Sequence, residues 1–228
     1  WIGGMGVLVF ILAVLPLAGG YNMYLMKAES PGPSVGKLVP KVKSTAKILY
    51  GIYFFMTVVE ILLLLAGGMP LFDSLATGFG TAGTGGFGIK NSSIAYYDSY
   101  YLQGVITVFM ILFGINFNVY YLFLVHHPKD ALRCEEARVY LGIIGVTVLL
   151  ITLNIRGSFT SLFAAFHHAA FQVASIITTT GFSTVDFDKW PEFSKGLLVV
   201  LMFIGACAGS TGGGIKVSRV IILLKTVK

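Results

Sequence analysis

The sequence predicts an all-α integral membrane protein built from a repeated helix–loop–helix unit, and three observations carry that reading. The first is composition. Of 228 residues, 56% are hydrophobic and 11% charged, with a mean hydropathy of +0.84, against about 45–50% apolar and about 25% charged in soluble domains. The second is a repeat: a shift of 95 residues lays Thr84-Gly85-Gly86-Phe87 on Thr179-Thr180-Gly181-Phe182, each copy between a short amphipathic segment and a long apolar one. The third is charge asymmetry. Of the 16 Lys and Arg, 12 fall in residues 27–47, in 126–138 and in the tail from Lys216. The positive-inside rule puts those stretches in the cytoplasm and the two Gly/Thr loops on the extracellular or periplasmic side.

Residues 1–26 open on Trp1-Ile2-Gly3-Gly4-Met5-Gly6 and run apolar with no basic n-region or cleavage site. They are expected to be the last helix of a first, incomplete unit rather than a signal peptide. Residues 27–45 hold Lys27, Lys37, Lys41 and Lys43 with Pro31, Pro33 and Pro40, which exclude a regular element and make a cytoplasmic loop. The second unit, 46–126, consists of a span over 48–66, a break at Gly67-Gly68-Met69-Pro70, a short helix over 71–79, the first Gly/Thr loop, an interfacial belt of Tyr96, Tyr97, Tyr100 and Tyr101, and a return span over 102–125. A cytoplasmic connector, 127–137, leads to the third unit, 138–228. There a span over 139–155 precedes a short helix over 159–175, the second loop, and a return span that breaks at Gly209-Ser210-Thr211-Gly212-Gly213-Gly214 and resumes at Val217. Crossing a bilayer takes about 20 apolar residues, so helices half that long read as re-entrant. Their loops persist at membrane depth only where protein or a water-filled cavity surrounds them.

The loops have the chemistry of a site for a dehydrated monovalent cation. Such an ion must meet several oxygens at once, and carbonyls of a glycine-permitted loop with Thr hydroxyls beside them supply these without fixed charge. Divalent ions recruit Asp or Glu, and neither occurs in 84–86 or 179–181; potassium fits best. A tight turn is the plain reading of either copy alone, and its recurrence at the same place in two units favours a site.

Other features exclude function classes or leave alternatives open. The net charge of +6 is scattered over connectors, with no basic stripe and interleaved aromatics for nucleic acid. Cys134 and Cys207 are too few and too differently placed for a disulfide framework or metal site. Residues 209–216 imitate a phosphate loop, but Gly214-Ile215-Lys216-Val217 breaks the required Gly-Lys-Ser/Thr pattern. Four glycines with Ser210 and Thr211 instead unwind the helix in mid-membrane, as a gate or as a simple kink. Asn116 lies opposite Thr211 at the same offset, so the second unit has a less disrupted polar site at this depth. Glu60 is costly in a span and is expected to pair with another span rather than contact an ion. His167 and His168 read as packing rather than metal ligands, and Asp186 and Asp188 as a solvated face or a means of concentrating cations. An intramembrane hydrolase would need a Ser–His pair, whereas Ser210 lies deep and the histidines sit at the outer start of a short helix.

Together these residues resemble the Trk/Ktr/HKT potassium transporter superfamily, most closely the TrkH-type potassium uptake membrane subunit. The resemblance rests on Trp1-Ile2-Gly3-Gly4-Met5-Gly6, Thr84-Gly85-Gly86-Phe87, Gly114-Ile115-Asn116-Phe117-Asn118, Thr178-Thr179-Thr180-Gly181-Phe182 with Trp190-Pro191, and the stretch from Gly205 through Lys216. It implies potassium-channel-like helix–pore-loop–helix units, four around one pore. This chain holds two complete units plus one preceding inner helix and is expected to be a fragment. By the resemblance, backbone carbonyls of Thr84, Gly85, Gly86, Thr179, Thr180 and Gly181 line a potassium filter, with Phe87 and Phe182 as support. Gly209, Ser210, Thr211, Gly212, Gly213, Gly214 and Lys216 form an intramembrane gate. The implied activity is non-enzymatic potassium transport across the cytoplasmic (inner) membrane, with potassium as substrate and no cofactor. Implied partners are the lipid bilayer, the missing first and fourth repeats, a second copy in a homodimer, and a cytosolic nucleotide-binding subunit of the TrkA kind. The nearest alternative is a sodium-selective or sodium-coupled transporter of the same fold, in which a filter glycine is often serine; Gly86 and Gly181 are glycine. An intramembrane hydrolase is the remote one.

Overall fold

The computed structural model describes residues 1–5, 42–124 and 128–226. Helix α1 (Val42–Ala66) starts inside the stretch expected to be a cytoplasmic loop; the rest of that loop, residues 6–26 of the expected first helix, and 125–127 lie outside the described residues. Gly68, at φ +85, ends α1, and α2 (Leu71–Ala82) begins after Pro70, with Asp73 in its first turn, where an acid suits the helix dipole. A 3-10 turn at Ser93–Tyr96 precedes α3 (Tyr100–Phe113). Ser99 caps α3 by accepting the Leu102 N–H, as Ser161 caps α7 by accepting the Ala164 N–H at 3.1 Å. Between them run α4 (Phe117–Leu124), the short α5 (Pro128–Leu132) and α6 (Glu135–Ile155). After α7 (Leu162–Ile177) come α8 (Glu192–Phe203) and α9 (Val217–Thr226). Among the described residues the only strand-like pairing is an isolated parallel bridge between Ile204 and Ile215.

Among the described residues two stretches, Lys47–Ala66 and Glu135–Ser158, are long and apolar enough to cross a membrane, and α3 with α4 makes a third if the pair is one broken span. Phe54, Phe55 and Leu62 of α1 and Val146, Leu149 and Leu153 of α6 are exposed, as suits helices that face lipid. Helices α2 and α7, 12 and 16 residues long, are too short to cross.

The return span expected over 102–125 is not one straight helix: α3 and α4 meet at 89°. Gly114 ends α3 where a Cβ would lie 2.1 Å from the Tyr140 hydroxyl. Asn116 Oδ1 then accepts the Asn118 N–H at 2.9 Å and starts a new helix in a new direction, as a side-chain cap does.

Helix α1 packs on α2, α3 and α4, α6 packs on α7, α8 and α9, and α3 against α7 joins the two groups. The joining core is shared: Leu64, Met69, Ile94, Leu102, Ile106 and Met110 from one side enclose Phe171, Ala174 and Phe182 from the other. That packing brings the ends of α2 and α7 together.

Candidate functional site

Helices α2 and α7 end in the same turn. After α2, the Gly83 N–H donates to Phe79 O (2.9 Å), Thr84 N–H to Thr81 O (3.1 Å) and Gly85 N–H to Gly80 O (2.8 Å). After α7, Thr178 N–H donates to Ala174 O (3.1 Å), Thr179 N–H to Ile176 O (3.0 Å) and Thr180 N–H to Ser175 O (2.9 Å). Each bond has its counterpart 95 residues on. Backbone angles follow the same register: Thr84 and Thr179 have φ of 50° and 58°, and Gly86 and Gly181 have 64° and 89°. This left-handed region is unusual for threonine and free of steric cost for glycine. Both hydroxyls turn back onto the preceding carbonyl, Thr84 Oγ1 to Gly83 O (2.8 Å) and Thr179 Oγ1 to Thr178 O (2.6 Å).

The carbonyls of Thr84, Gly85, Gly86, Thr179, Thr180 and Gly181 accept no hydrogen bond among the described residues. Backbone acceptors are normally satisfied, so six such carbonyls in two turns form a concentrated set of oxygens. The turns are also in contact, since a Cβ on Gly86 would lie 1.9 Å from Thr180 O.

The segment between α8 and α9 is a closed loop tied to both turns. Its neck is held by Gly205 N–H to Ile215 O (2.8 Å) and Val217 N–H to Ala206 O (3.2 Å). Its body fits the bend between α3 and α4: Cys207 N–H donates to Gly114 O (3.0 Å), Thr211 N–H and Oγ1 donate to Phe113 O (3.3 and 3.2 Å), and Phe117 N–H donates to Gly209 O (3.0 Å). The groups that a helix end leaves unpaired thus find partners in the other broken helix, as backbone at membrane depth requires. Its tip reaches both turns, with Thr84 Oγ1 on Thr211 O (3.0 Å) and Gly213 N–H on Thr179 Oγ1 (2.7 Å). Lys216 Nζ donates to Gly212 O and Ser210 Oγ to Cys207 O, so both polar side chains serve the loop itself.

The family model for TrkH, described as a cation transport protein, matches residues 1–165 and 157–228. The chain belongs to the TrkH family. The Trk system potassium uptake protein TrkH of Salmonella typhimurium is 38% identical over 229 residues, which are 99% of this chain and 47% of that protein. TrkG of Escherichia coli, also named a Trk system potassium uptake protein, is 35% identical over 231 residues, 100% of this chain and 48% of that protein. The crystal structure of the potassium transporter TrkH from Vibrio parahaemolyticus superposes with a TM-score of 0.81 at 35% identity, covering 98% of this chain and 46% of that one. The chain spans about half the length of the curated relatives it matches. These relatives are membrane transport proteins rather than enzymes.

Within this TrkH-family chain the two expected supporting phenylalanines differ. Phe182 is 1% exposed and sits in the shared core, whereas Phe87 is 86% exposed, with its ring 3.6 Å from where a Gly85 Cβ would stand. Leu102, Ile106 and Met110 of α3 share the cluster that buries Phe182. Trp1 also stands against the first turn. Its N and Cα lie 3.1 and 3.2 Å from where a Gly83 Cβ would be, and its ring stacks on Tyr53 at 4.7 Å and donates to Thr57 Oγ1 at 3.0 Å.

Glu60 is fully buried, and neither carboxyl oxygen has a hydrogen-bond partner among the described residues; the expected pairing with another span is not formed among them. His167 Nε2 meets Gln103 Oε1 (3.0 Å) and His168 Nδ1 meets Thr184 Oγ1 (3.1 Å), so both tie α7 to its neighbours and neither pairs with Ser210. Asp186 and Asp188 are exposed, and Asp186 faces Lys189 at 3.3 Å.

One residue escaped the sequence reading. Glu136 Oε1 accepts the Ala208 N–H at 2.7 Å and the Ser218 N–H at 3.0 Å, holding both arms of the loop. From sequence it is one of two acids opening a helix, an ordinary dipole preference; only the fold brings the loop to it.

Proposed function

We propose that this chain supplies two walls of a potassium-selective filter, and the gate beside it, to a four-unit potassium transport protein of the cytoplasmic membrane. The observation that carries the reading is the set of six carbonyls without a hydrogen-bond partner among the described residues, on two touching turns of the same backbone form. A potassium ion leaving water needs such a group of oxygens, and no carboxylate stands among them to favour a divalent ion. The potassium uptake named for the relatives supports the choice of ion. Each of the two units then contributes a span, a re-entrant helix, a filter turn on the outer side and a broken return helix. The loop from Gly209 to Lys216 is the gate, because it contacts both turns through single hydrogen bonds that can part without unfolding a helix. The partners of the whole protein are the remaining two units, a second copy in a homodimer and a cytosolic nucleotide-binding regulatory subunit.

The test is potassium uptake by the full-length protein in cells lacking their own uptake systems. No atom lies within 4 Å of where a Gly181 Cβ would stand, so Gly181→Ser changes the turn without a clash. It is expected to lower the preference for potassium over sodium by about tenfold, the order of one lost ligand interaction; an unaltered preference would remove the filter assignment. Deleting Gly212 to Gly214 is expected to raise flux or abolish its regulation, and regulated flux at the parent level would sink the gate.

A further inference from the structure

We infer that Glu136 is the positioning residue that holds this loop shut, an inference resting on the gate proposed for the loop. The two N–H groups on its Oε1 belong to opposite arms: Ala208 on the arm leaving α8 and Ser218 in the first turn of α9. Neither has an intrahelical acceptor, because Ala208 lies outside a helix and the first N–H groups of a helix point outward unpaired. A carboxylate suits this place twice over, through bonds stronger than those to a neutral acceptor and through the positive end of the α9 dipole. The ties from the tip and body of the loop to the turns and the bend are between neutral groups, while the Lys216 ammonium donates to Gly212 O within the loop itself. The charged tie at the neck is therefore the strong one. Its anchor is also firm: Glu136 rides on α6, which packs on α7, α8 and α9, and the adjacent Glu135 grips Lys225 of α9 at 2.7 Å. The carboxylate closes the ring of chain between 208 and 218, and opening the loop requires both N–H groups to leave it.

The experiment uses the full-length protein and two readouts. One is potassium flux without the regulatory subunit. The other is the rate at which a membrane-impermeant thiol reagent, applied from the cytoplasmic side, modifies Cys207, in a background with Cys134→Ser and any other cysteines replaced. Cys207 is fully buried inside the loop, so its modification reports opening. Glu136→Ala is expected to raise both flux and labelling about tenfold, and Glu136→Gln, which keeps an acceptor without the charge, about threefold, following the weight of charge-assisted against neutral bonds. Should the alanine variant fail to reach the membrane, the glutamine variant decides on the same readouts. Parent values for both readouts, combined with altered flux on deleting Gly212 to Gly214, overturn the inference and leave the gate standing. Parent values in the deletion as well overturn the gate and the inference with it. A fall in flux with no rise in labelling means that Glu136 only supports folding, and also overturns the inference.

Discussion

At three places where the turn after α7 carries hydroxyl side chains, Ser175, Thr178 and Thr180, the turn after α2 carries Gly80, Gly83 and Gly85. The second turn stiffens itself with these groups. Ser175 Oγ donates to Phe182 O at 2.6 Å, Thr178 Oγ1 to Ala174 O at 2.7 Å, and the hydroxyls of Thr178 and Thr180 meet at 2.7 Å. The first turn has its glycines filled from outside: a Cβ at Gly80 would stand 3.0 Å from Phe182 Cζ, and one at Gly83 3.1 Å from Trp1 N. One backbone form is thus reached by two routes, through local hydrogen bonds in one unit and through long-range packing in the other. The first turn should be the more sensitive to changes in the residues that pack on it, and the second to loss of its own hydroxyls.

The largest effect is expected at Gly86. Its φ of 64° already disfavours a side chain, and the Cβ of Gly86→Ala would stand 1.9 Å from Thr180 O. Together these should cost about 3 kcal/mol or more and abolish potassium uptake in the full-length protein. Gly181→Ala has only its φ of 89° to overcome and should cost about 1–2 kcal/mol. Equal melting temperatures for the two variants would erase the distinction between the turns. Next is Trp1→Ala, which leaves the backbone of residue 1 against Gly83 but removes the ring stacked on Tyr53 and its hydrogen bond to Thr57; a loss of about 2–3 kcal/mol is expected for a half-buried ring, with uptake falling while the hydroxyl bonds of the second turn persist. A smaller effect follows for Thr178→Val, which strips one self-supporting hydroxyl at about 1–2 kcal/mol. It should lower thermal stability and ion preference with little change at the first turn, and an effect as large as that of Trp1→Ala would show that the turns share their support.

The smallest change in uptake is expected at Glu60. The residue 95 positions on is Ile155, fully buried in the apolar core of the other unit. Glu60→Leu exchanges a buried carboxyl with no hydrogen-bond partner among the described residues for an apolar group of similar size, which should leave uptake unchanged and raise the melting temperature by a few degrees. Loss of uptake with an intact fold would instead place Glu60 on the ion path.

Much of the architecture was legible in the chain. Gly67 to Pro70 marked the end of α1 and the start of α2, and the short helix expected over 159–175 falls within three residues of α7 at each end, because glycine, proline and hydropathy act locally. The 89° bend between α3 and α4 was not legible in full. One Gly and one Asn inside an apolar stretch are compatible with a continuous helix, and the bend is stable only because the loop of the other unit satisfies Phe113 O, Gly114 O and the Phe117 N–H. Phe87 and Phe182 occupy the same place in one motif and differ in burial, because their surroundings come from chain far away.

Residue chemistry alone set the membrane class, the short helices and the two Gly/Thr turns, since each depends on neighbours a few positions away along the chain. Tertiary structure decided that the two turns touch, that the Gly-rich break docks into the bend of the other return helix, and that Glu136 holds its neck. Those contacts join residues 34, 72, 98 and 127 positions apart. Hydrogen bonds at such separations depend on which helices pack together, and helix packing rests on shape and close approach across the whole chain, which no local pattern records.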